Sequence, residues 1–196
     1  MSGVVVWFTG LSGAGKSTLA DSFAAELRRQ GRPVTIIDGD AIRQARKRPF
    51  GFSREDILQN GRDIIEACQQ EVVHHDFVLV AVITPFAQTR QEARRALEPD
   101  YFEVYVATPL DVCAERDTKG LYKQAMAGDL PDLIGVSESA PYERPCGSEF
   151  IVDTTNVSVE ESRERVQAAI QEWLNTPDQP TGDLTRRLLD ESPRNK

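Results

Sequence analysis

The sequence predicts a three-layer α/β/α domain around a mainly parallel, five-stranded sheet. Three observations lead there: five short apolar, β-branched runs, longer segments of helical periodicity between them, and a glycine-rich turn directly after the first run. The runs are continuously apolar rather than alternating. That pattern belongs to strands covered on both faces, the usual condition in a parallel sheet, and right-handed crossovers then place helices on both sides.

The elements follow in order. Val4 to Thr9 reads as a buried strand ended by the glycine-rich turn. Lys16 to Gln30 carries Leu19, Phe23 and Leu27 at four-residue spacing, one inward stripe of a helix. Val34 to Ile37 follows Gly31-Arg32-Pro33 and stops at Asp38-Gly39-Asp40, a second strand. Ser53 to His74 places Ile57, Ile64, Ile65, Cys68 and Val72 on a related face, with Ser53 as N-cap. Phe77 to Ile83 is a third strand, Thr89 to Leu97 a shorter helix and Phe102 to Ala107 a fourth strand. Thr108-Pro109 is expected to open a helix with threonine as N-cap and proline at the first helical position. Phe150 to Val152 is a short fifth strand, and Ser158 with Glu161 makes a capping box before Val166, Ile170 and Trp173.

Two stretches break the rhythm. Residues 117–148 mix glycine, proline and charge without a strand, and a connection of that length is either a functional lid or disordered. After Leu174 the chain turns proline-rich and polar, so residues 1–175 are expected to form the domain and 176–196 a weakly ordered tail.

Composition removes whole classes of function. The 196 residues carry 23 basic and 31 acidic side chains, a net charge of −8. A mean field of that sign repels polyanions, so neither nucleic acid nor an anionic membrane is an expected partner. Cys68, Cys113 and Cys146 are far apart, without zinc-ligand spacing or an even count for a disulfide framework. No apolar run approaches 18 residues, and Met-Ser-Gly-Val-Val-Val-Trp-Phe lacks a basic leader pattern. The expected location is the cytoplasm. His74 and His75 are adjacent and share no helix face, so a metal pair is not expected, while Trp7 and Trp173 read as core.

Gly10-Leu-Ser-Gly-Ala-Gly-Lys-Ser17 matches G-x-x-x-x-G-K-[ST] at every specified position, after a strand and before an amphipathic helix. Glycines let main-chain N–H groups turn toward phosphate oxygens, and a helix N-terminus adds favourable potential for anions. Gly10, Ser12, Gly13, Ala14 and Gly15 would form that cradle. Lys16 is expected to reach the β- and γ-phosphates of ATP, Ser17 to ligate Mg²⁺, and Thr18 to touch the α-phosphate. A dinucleotide fingerprint is not satisfied, because Gly13 and Gly15 are followed by Thr18.

Binding a triphosphate does not say what happens to it. Asp38-Gly39-Asp40 lies just past the second strand, on the side where open α/β sheets place their ligands. Asp40 is the candidate base for transfer to a hydroxyl and a candidate holder of Mg²⁺, with Asp38 orienting; a plain Asp-Gly turn explains the same residues equally well. A GTPase switch is disfavoured, since neither N-K-x-D nor D-x-x-G after the third strand occurs. Arg116, Lys119, Lys123 and Arg144 form a positive cluster in the long connection, either a lid closing over ATP or solvated surface charge.

With these residues in hand, the chain resembles the adenylylsulfate kinase family over about residues 3 to 175. The likeness rests on the phosphate loop through Thr18, on Asp38-Gly39-Asp40 with Arg43, and on Gly51-Phe52-Ser53-Arg-Glu-Asp56 with Asn60. It continues through Ile83-Thr84-Pro85-Phe86, Thr108-Pro-Leu-Asp-Val-Cys113, Arg116-Asp-Thr-Lys-Gly-Leu-Tyr-Lys123 and Tyr142-Glu143-Arg-Pro145. The resemblance implies a P-loop kinase fold and transfer of the γ-phosphate of ATP to the ribose 3′-hydroxyl of adenosine 5′-phosphosulfate. It implies Asp40 as catalytic carboxylate, Arg43, Phe52 and Asn60 as contacts to that acceptor, and Ile83, Thr84 and Pro85 lining its pocket. Lys119, Leu121 and Lys123 would belong to the lid, and a homodimer is expected from the family habit. The chain also departs from the family pattern. Ala41 stands for Asn, Ile57 for an acceptor-holding Arg, Thr84 and Phe86 for Ser and Tyr, and Leu133-Ile-Gly-Val-Ser137 for F-T-G-I-D. Arg54, three positions before Ile57, is a candidate replacement. Two other readings stay open: a kinase of this fold acting on another nucleotide-like acceptor, such as a cytidine diphosphate conjugate, and a nucleotide-binding regulator without catalysis.

Overall fold

The structure, a computed structural model, describes residues 3–39, 42 and 53–176. Asp40, Ala41, Arg43 and Phe52, together with all of the predicted tail except Thr176, lie outside the described residues. Strands β1 (Val4–Thr9), β2 (Val34–Asp38), β3 (Phe77–Ala81), β4 (Tyr101–Val106) and β5 (Phe150–Val152) form one sheet in the order β2-β3-β1-β4-β5. Every pairing is parallel. Six helices are described: α1 (Lys16–Arg29), α2 (Arg54–Glu71), α3 (Ala87–Leu97), α4 (Leu110–Arg116), α5 (Leu121–Ala127) and α6 (Val159–Leu174). The predicted α/β class, the five strands and their parallel arrangement are present.

Strand β1 shows how the layers arise. Its side chains alternate faces, so Val4, Val6 and Phe8 join Leu19, Phe23 and Leu27 of α1 and Val166 and Ile170 of α6. Val5 and Trp7 point the other way, to Ile64, Ile65 and Cys68 of α2 and Ala93 and Leu97 of α3. Both faces are covered, which is why the run is apolar throughout. Ring contacts bind the layers, Phe23 edge-on to Phe77 at 6.0 Å and Phe102 edge-on to Trp173 at 5.4 Å.

Local signals place most boundaries. Ser53 caps α2 by accepting from the Asp56 N–H at 3.2 Å, and Ser158 caps α6 by accepting from Glu161 at 3.1 Å. Gly10 ends β1 at φ 152°, where a Cβ would run into the Val106 carbonyl.

Three expectations need correction. Helix α3 begins at Ala87 rather than Thr89, and its first N–H is capped from outside, donating to Glu143 Oε2 at 2.6 Å. Strand β3 stops at Ala81, because Thr84 turns the chain with φ 44°. Pro109, not Thr108, is the N-cap of α4, since the Thr108 hydroxyl donates instead to the Ala14 carbonyl at 3.0 Å. Within the long connection, α5 forms because the Asp117 carboxylate accepts from the N–H groups of Tyr122 and Lys123, each at 3.0 Å. No described helix is long and apolar enough to cross a membrane.

Phe23→Ala is expected to remove about 3–5 kcal/mol of stability, read as a shift in the urea unfolding midpoint, because a fully packed aromatic leaves a cavity between α1 and β3. Cys68 and Cys113 are free and buried, whereas Cys146 is exposed, and burial pushes the Cys68 thiol up to about 12. At pH 8 a disulfide reagent should therefore titrate Cys146 rapidly and the two buried thiols only after denaturation; equal rates for all three would contradict the packing.

Candidate active site

The carboxyl ends of the strands converge on one cleft of about 420 Å³. The sheet order puts β3 and β4 on opposite sides of β1, so the chain leaves the β1 edge in both directions and a crevice opens where it does so. Ser12, Gly13, Gly15, Lys16, Ser17 and Thr18 line it after β1, Asp38 and Gly39 at the end of β2, Ile83, Thr84 and Pro85 after β3, and Thr154 after β5.

The donor half is the turn from β1 into α1. Gly15 takes φ 102° as N-cap of α1, a left-handed conformation that glycine adopts without penalty. Lys16 is buried, and its Nζ donates to the Leu11 carbonyl at 2.7 Å, which holds the ammonium at the cleft floor. The Ser17 and Thr18 side chains are exposed to the cleft. The Ala14 carbonyl receives two hydroxyl donors, Thr108 Oγ1 and Thr154 Oγ1, both at 3.0 Å. Arg116 completes the set: one Nη donates to Thr154 Oγ1 at 2.8 Å and the other to the Thr154 carbonyl at 2.9 Å. These bonds hold the loop by its carbonyl side, while the Ala14 N–H turns back to the Leu11 carbonyl at 3.2 Å and Gly13 and Gly15 line the cleft, where main-chain N–H groups suit a phosphate. The Tyr122 hydroxyl adds a further anchor, donating to the Ser12 carbonyl at 2.8 Å. Gly10 and Ala14 support this loop without lining the cleft.

The acceptor half is built from Ile83–Pro85, α2 and part of the long connection. Asn60 of α2 is buried at the cleft wall, and among the described residues its Oδ1 has no hydrogen-bond partner. An acceptor atom so placed suits an N–H or O–H of a ligand. Ile57 joins Leu58, Phe86 and Ile134 in an apolar group, and Ile57 and Ile134 line the cleft. Arg54 does not take the role suggested for it: its guanidinium lies 4.0 Å from the Phe86 ring centre and 3.9 Å from Glu143 Oε1, away from the cleft lining. Trp7 Nε1 donates to Thr84 Oγ1 at 3.0 Å, so that tryptophan does more than fill the core.

In the connection, Thr118, Lys119 and Ile134 line the cleft. Leu121 packs on the core instead, and Lys123 and Arg144 are exposed without lining the cleft. The far end of the connection is bonded to the body. The Tyr142 ring stacks on Tyr105 at 6.1 Å, and burial raises its phenol above the ordinary tyrosine range. Thr9 Oγ1 gives its own proton to the Ile83 carbonyl at 2.7 Å, so the Tyr142 hydroxyl is the donor in their 2.9 Å contact. Arg94 pairs bidentately with Glu149, whose Oε2 also accepts from the Glu103 N–H at 2.7 Å. Sequence reading did not single out Thr154, Arg90 or Trp7 for the site. Thr108, Tyr122, Tyr142 and Glu143 lay inside motifs already quoted, though without the roles they take here.

Comparison with known proteins agrees with this geometry. The family model described as adenylylsulphate kinase matches residues 2–153. The chain belongs to the adenylylsulphate kinase family. It is 41% identical to the adenylyl-sulfate kinase of Bacillus pumilus, over 86% of this chain and 85% of that one. To the probable adenylyl-sulfate kinase of Halalkalibacterium halodurans it is 44% identical, over 84% and 81%. Among solved structures, the Mycobacterium tuberculosis APS kinase CysC in complex with AMPPNP and APS superposes with a TM-score of 0.80 at 35% identity, covering 87% of this chain and 98% of that one. A gluconokinase from Sinorhizobium meliloti shares the fold alone, at 18% identity and TM-score 0.56. Ile57 and Ile134 make one wall of this member's cleft apolar.

Thr154→Val is expected to raise the Kd for Mg·ATP about tenfold, the scale of one well-placed hydrogen bond, while Thr154→Ser stays near the parent. Titration calorimetry on the folded variants reads it; an unchanged Kd in the valine variant would show that the hydroxyl does not set the loop.

Proposed function

We propose that the protein catalyses ATP-dependent phosphorylation of adenosine 5′-phosphosulfate at the ribose 3′-hydroxyl, giving 3′-phosphoadenylylsulfate and ADP in sulfate assimilation. The observation that carries the reading is one continuous cleft in which a complete phosphate loop faces the Ile83–Pro85 and Asn60 wall. The family, and a relative solved with AMPPNP and APS, support this pair of ligands. The relatives do not favour a cytidine diphosphate conjugate as acceptor.

In this reading the backbone of Gly13 and Gly15 and the Lys16 ammonium hold the ATP phosphates, and Arg116 flanks the nucleotide. Asp38, Arg43, Phe52, Asn60 and residues 83–85 position the acceptor, with Lys119 from the connection closing on it. The 3′-hydroxyl oxygen bonds to the γ-phosphorus as the bond to the β,γ-bridging oxygen breaks; ADP leaves with that oxygen, and the hydroxyl proton passes to the Asp40 carboxylate. Lys16 offsets the charge that builds on the transferring oxygens. Mg²⁺ is commonly held by one or two protein oxygens plus substrate phosphates; the cleft-facing Ser17 hydroxyl suits it, and Asp40 would supply a carboxylate oxygen. When bound, the ion neutralises developing phosphate charge.

We place the enzyme in the cytoplasm, in keeping with its three free cysteines, and as a homodimer. A hexameric APS kinase from Thiobacillus denitrificans, 30% identical here, shows that assembly varies among relatives; light scattering on the purified chain reads the mass directly.

ADP release coupled to NADH oxidation should saturate with adenylyl sulfate at micromolar concentration and stay at background with cytidine nucleotides. Asp40→Ala should lower kcat by at least about 100-fold, the scale of a positioned general base, with the KM for ATP little changed. Near-parental turnover in that variant would remove Asp40 from the mechanism.

A further inference from the structure

Three consecutive carbonyls of the acceptor-lining segment are each taken by a different element. The Ile83 carbonyl accepts from Thr9 Oγ1 at 2.7 Å, that of Thr84 from Arg90 Nη1 at 2.7 Å, and that of Pro85 from the Glu143 N–H at 2.8 Å. Arg90 is buried, and its other Nη donates to the Glu143 carbonyl at 2.6 Å. The Glu143 carboxylate in turn accepts from the Ala87 N–H at 2.6 Å, so that the main chain and side chain of one residue grip both ends of Pro85–Ala87. Between the held carbonyls of Ile83 and Pro85, Thr84 takes φ 44°, a conformation that is an outlier for a β-branched residue and persists only where its surroundings over-determine it. Its hydroxyl is fixed from behind by Trp7 Nε1 at 3.0 Å.

We infer that Arg90 and Glu143 form a clasp that positions the acceptor, holding Ile83–Pro85 in a strained shape that the unclasped segment would not keep. The inference rests on adenylyl sulfate occupying that half of the cleft. Neither residue lines the cleft, so both act through the segment and are positioning residues. The donor half stands on supports that the clasp does not include, Thr108, Thr154 and Arg116, and meets the acceptor segment at Ile83, whose carbonyl accepts from Thr9 Oγ1 and from the Gly10 N–H at 3.4 Å. Loss of the clasp therefore separates the two substrates kinetically. Arginine suits this place because its planar fork presents a separate nitrogen to each carbonyl, whereas lysine brings one nitrogen on a flexible stem. At Glu143 an amide oxygen can still accept from Ala87, so Gln should substitute where Ala cannot.

The test measures both KM values in the coupled assay, with circular dichroism and melting to confirm folding. Arg90→Lys is expected to raise the KM for adenylyl sulfate about tenfold or more with the KM for ATP within about twofold, the loss of one charge-assisted contact. Glu143→Ala should raise the acceptor KM about fivefold and Glu143→Gln should restore most of it, a pair that decides the matter by itself if the buried lysine variant does not fold. An active parent whose folded variants keep the acceptor KM, or whose two KM values rise together, overturns the clasp alone. A parent that releases no ADP with adenylyl sulfate overturns the acceptor reading and the clasp with it.

Discussion

A single main-chain oxygen organises the donor end of this molecule. The Ala14 carbonyl sits where β4 and β5 deliver Thr108 and Thr154, and both hydroxyls donate to it at 3.0 Å. A glycine-rich turn is soft by construction, because residues that tolerate left-handed angles also sample many others. Tethering its carbonyl side to two neighbouring strands removes that freedom without placing a side chain in front of the amides. Arg116 then ties α4 to the same threonine, so the sheet, the loop and the start of the long connection share one hydrogen-bonded junction.

The acceptor side obeys the same logic with other parts. Ile83–Pro85 is held through its carbonyls from behind, again leaving the cleft-facing surface for a ligand. Its walls are mixed: Asn60 offers a buried oxygen, whereas Ile57 and Ile134 offer only shape. The donor half is tied mainly to the ends of β4 and β5 and the acceptor half to Arg90 and Glu143, and the two meet at the end of β1, where Thr9 and Gly10 bond the Ile83 carbonyl. The same fold occurs in a gluconokinase.

Charge is distributed accordingly. The chain carries a net charge of −8, yet Lys16, Arg116 and Lys119 face the cleft. The mean field discourages long polyanions, while a few cations behind low-dielectric walls still attract a small, highly charged nucleotide.

Much of this was legible in the residues themselves. Apolar runs and helical stripes specified five strands and the helices that cover them, since burial on two faces leaves a direct imprint on hydrophobicity. The phosphate loop was equally plain, because its chemistry is local: contiguous residues make both the turn and the helix start. Only folding in three dimensions revealed Thr154, Arg90 and the role of Trp7, whose partners lie 140, 53 and 77 positions away along the chain. Thr108 was misread as a helix cap for the same reason, since its best acceptor was a distant carbonyl rather than its own helix. Local sequence determines which elements form and which turn can cradle a phosphate. Which carbonyls are held, and so where the cleft-facing groups point, is decided by contacts between strand ends that no short window of sequence contains.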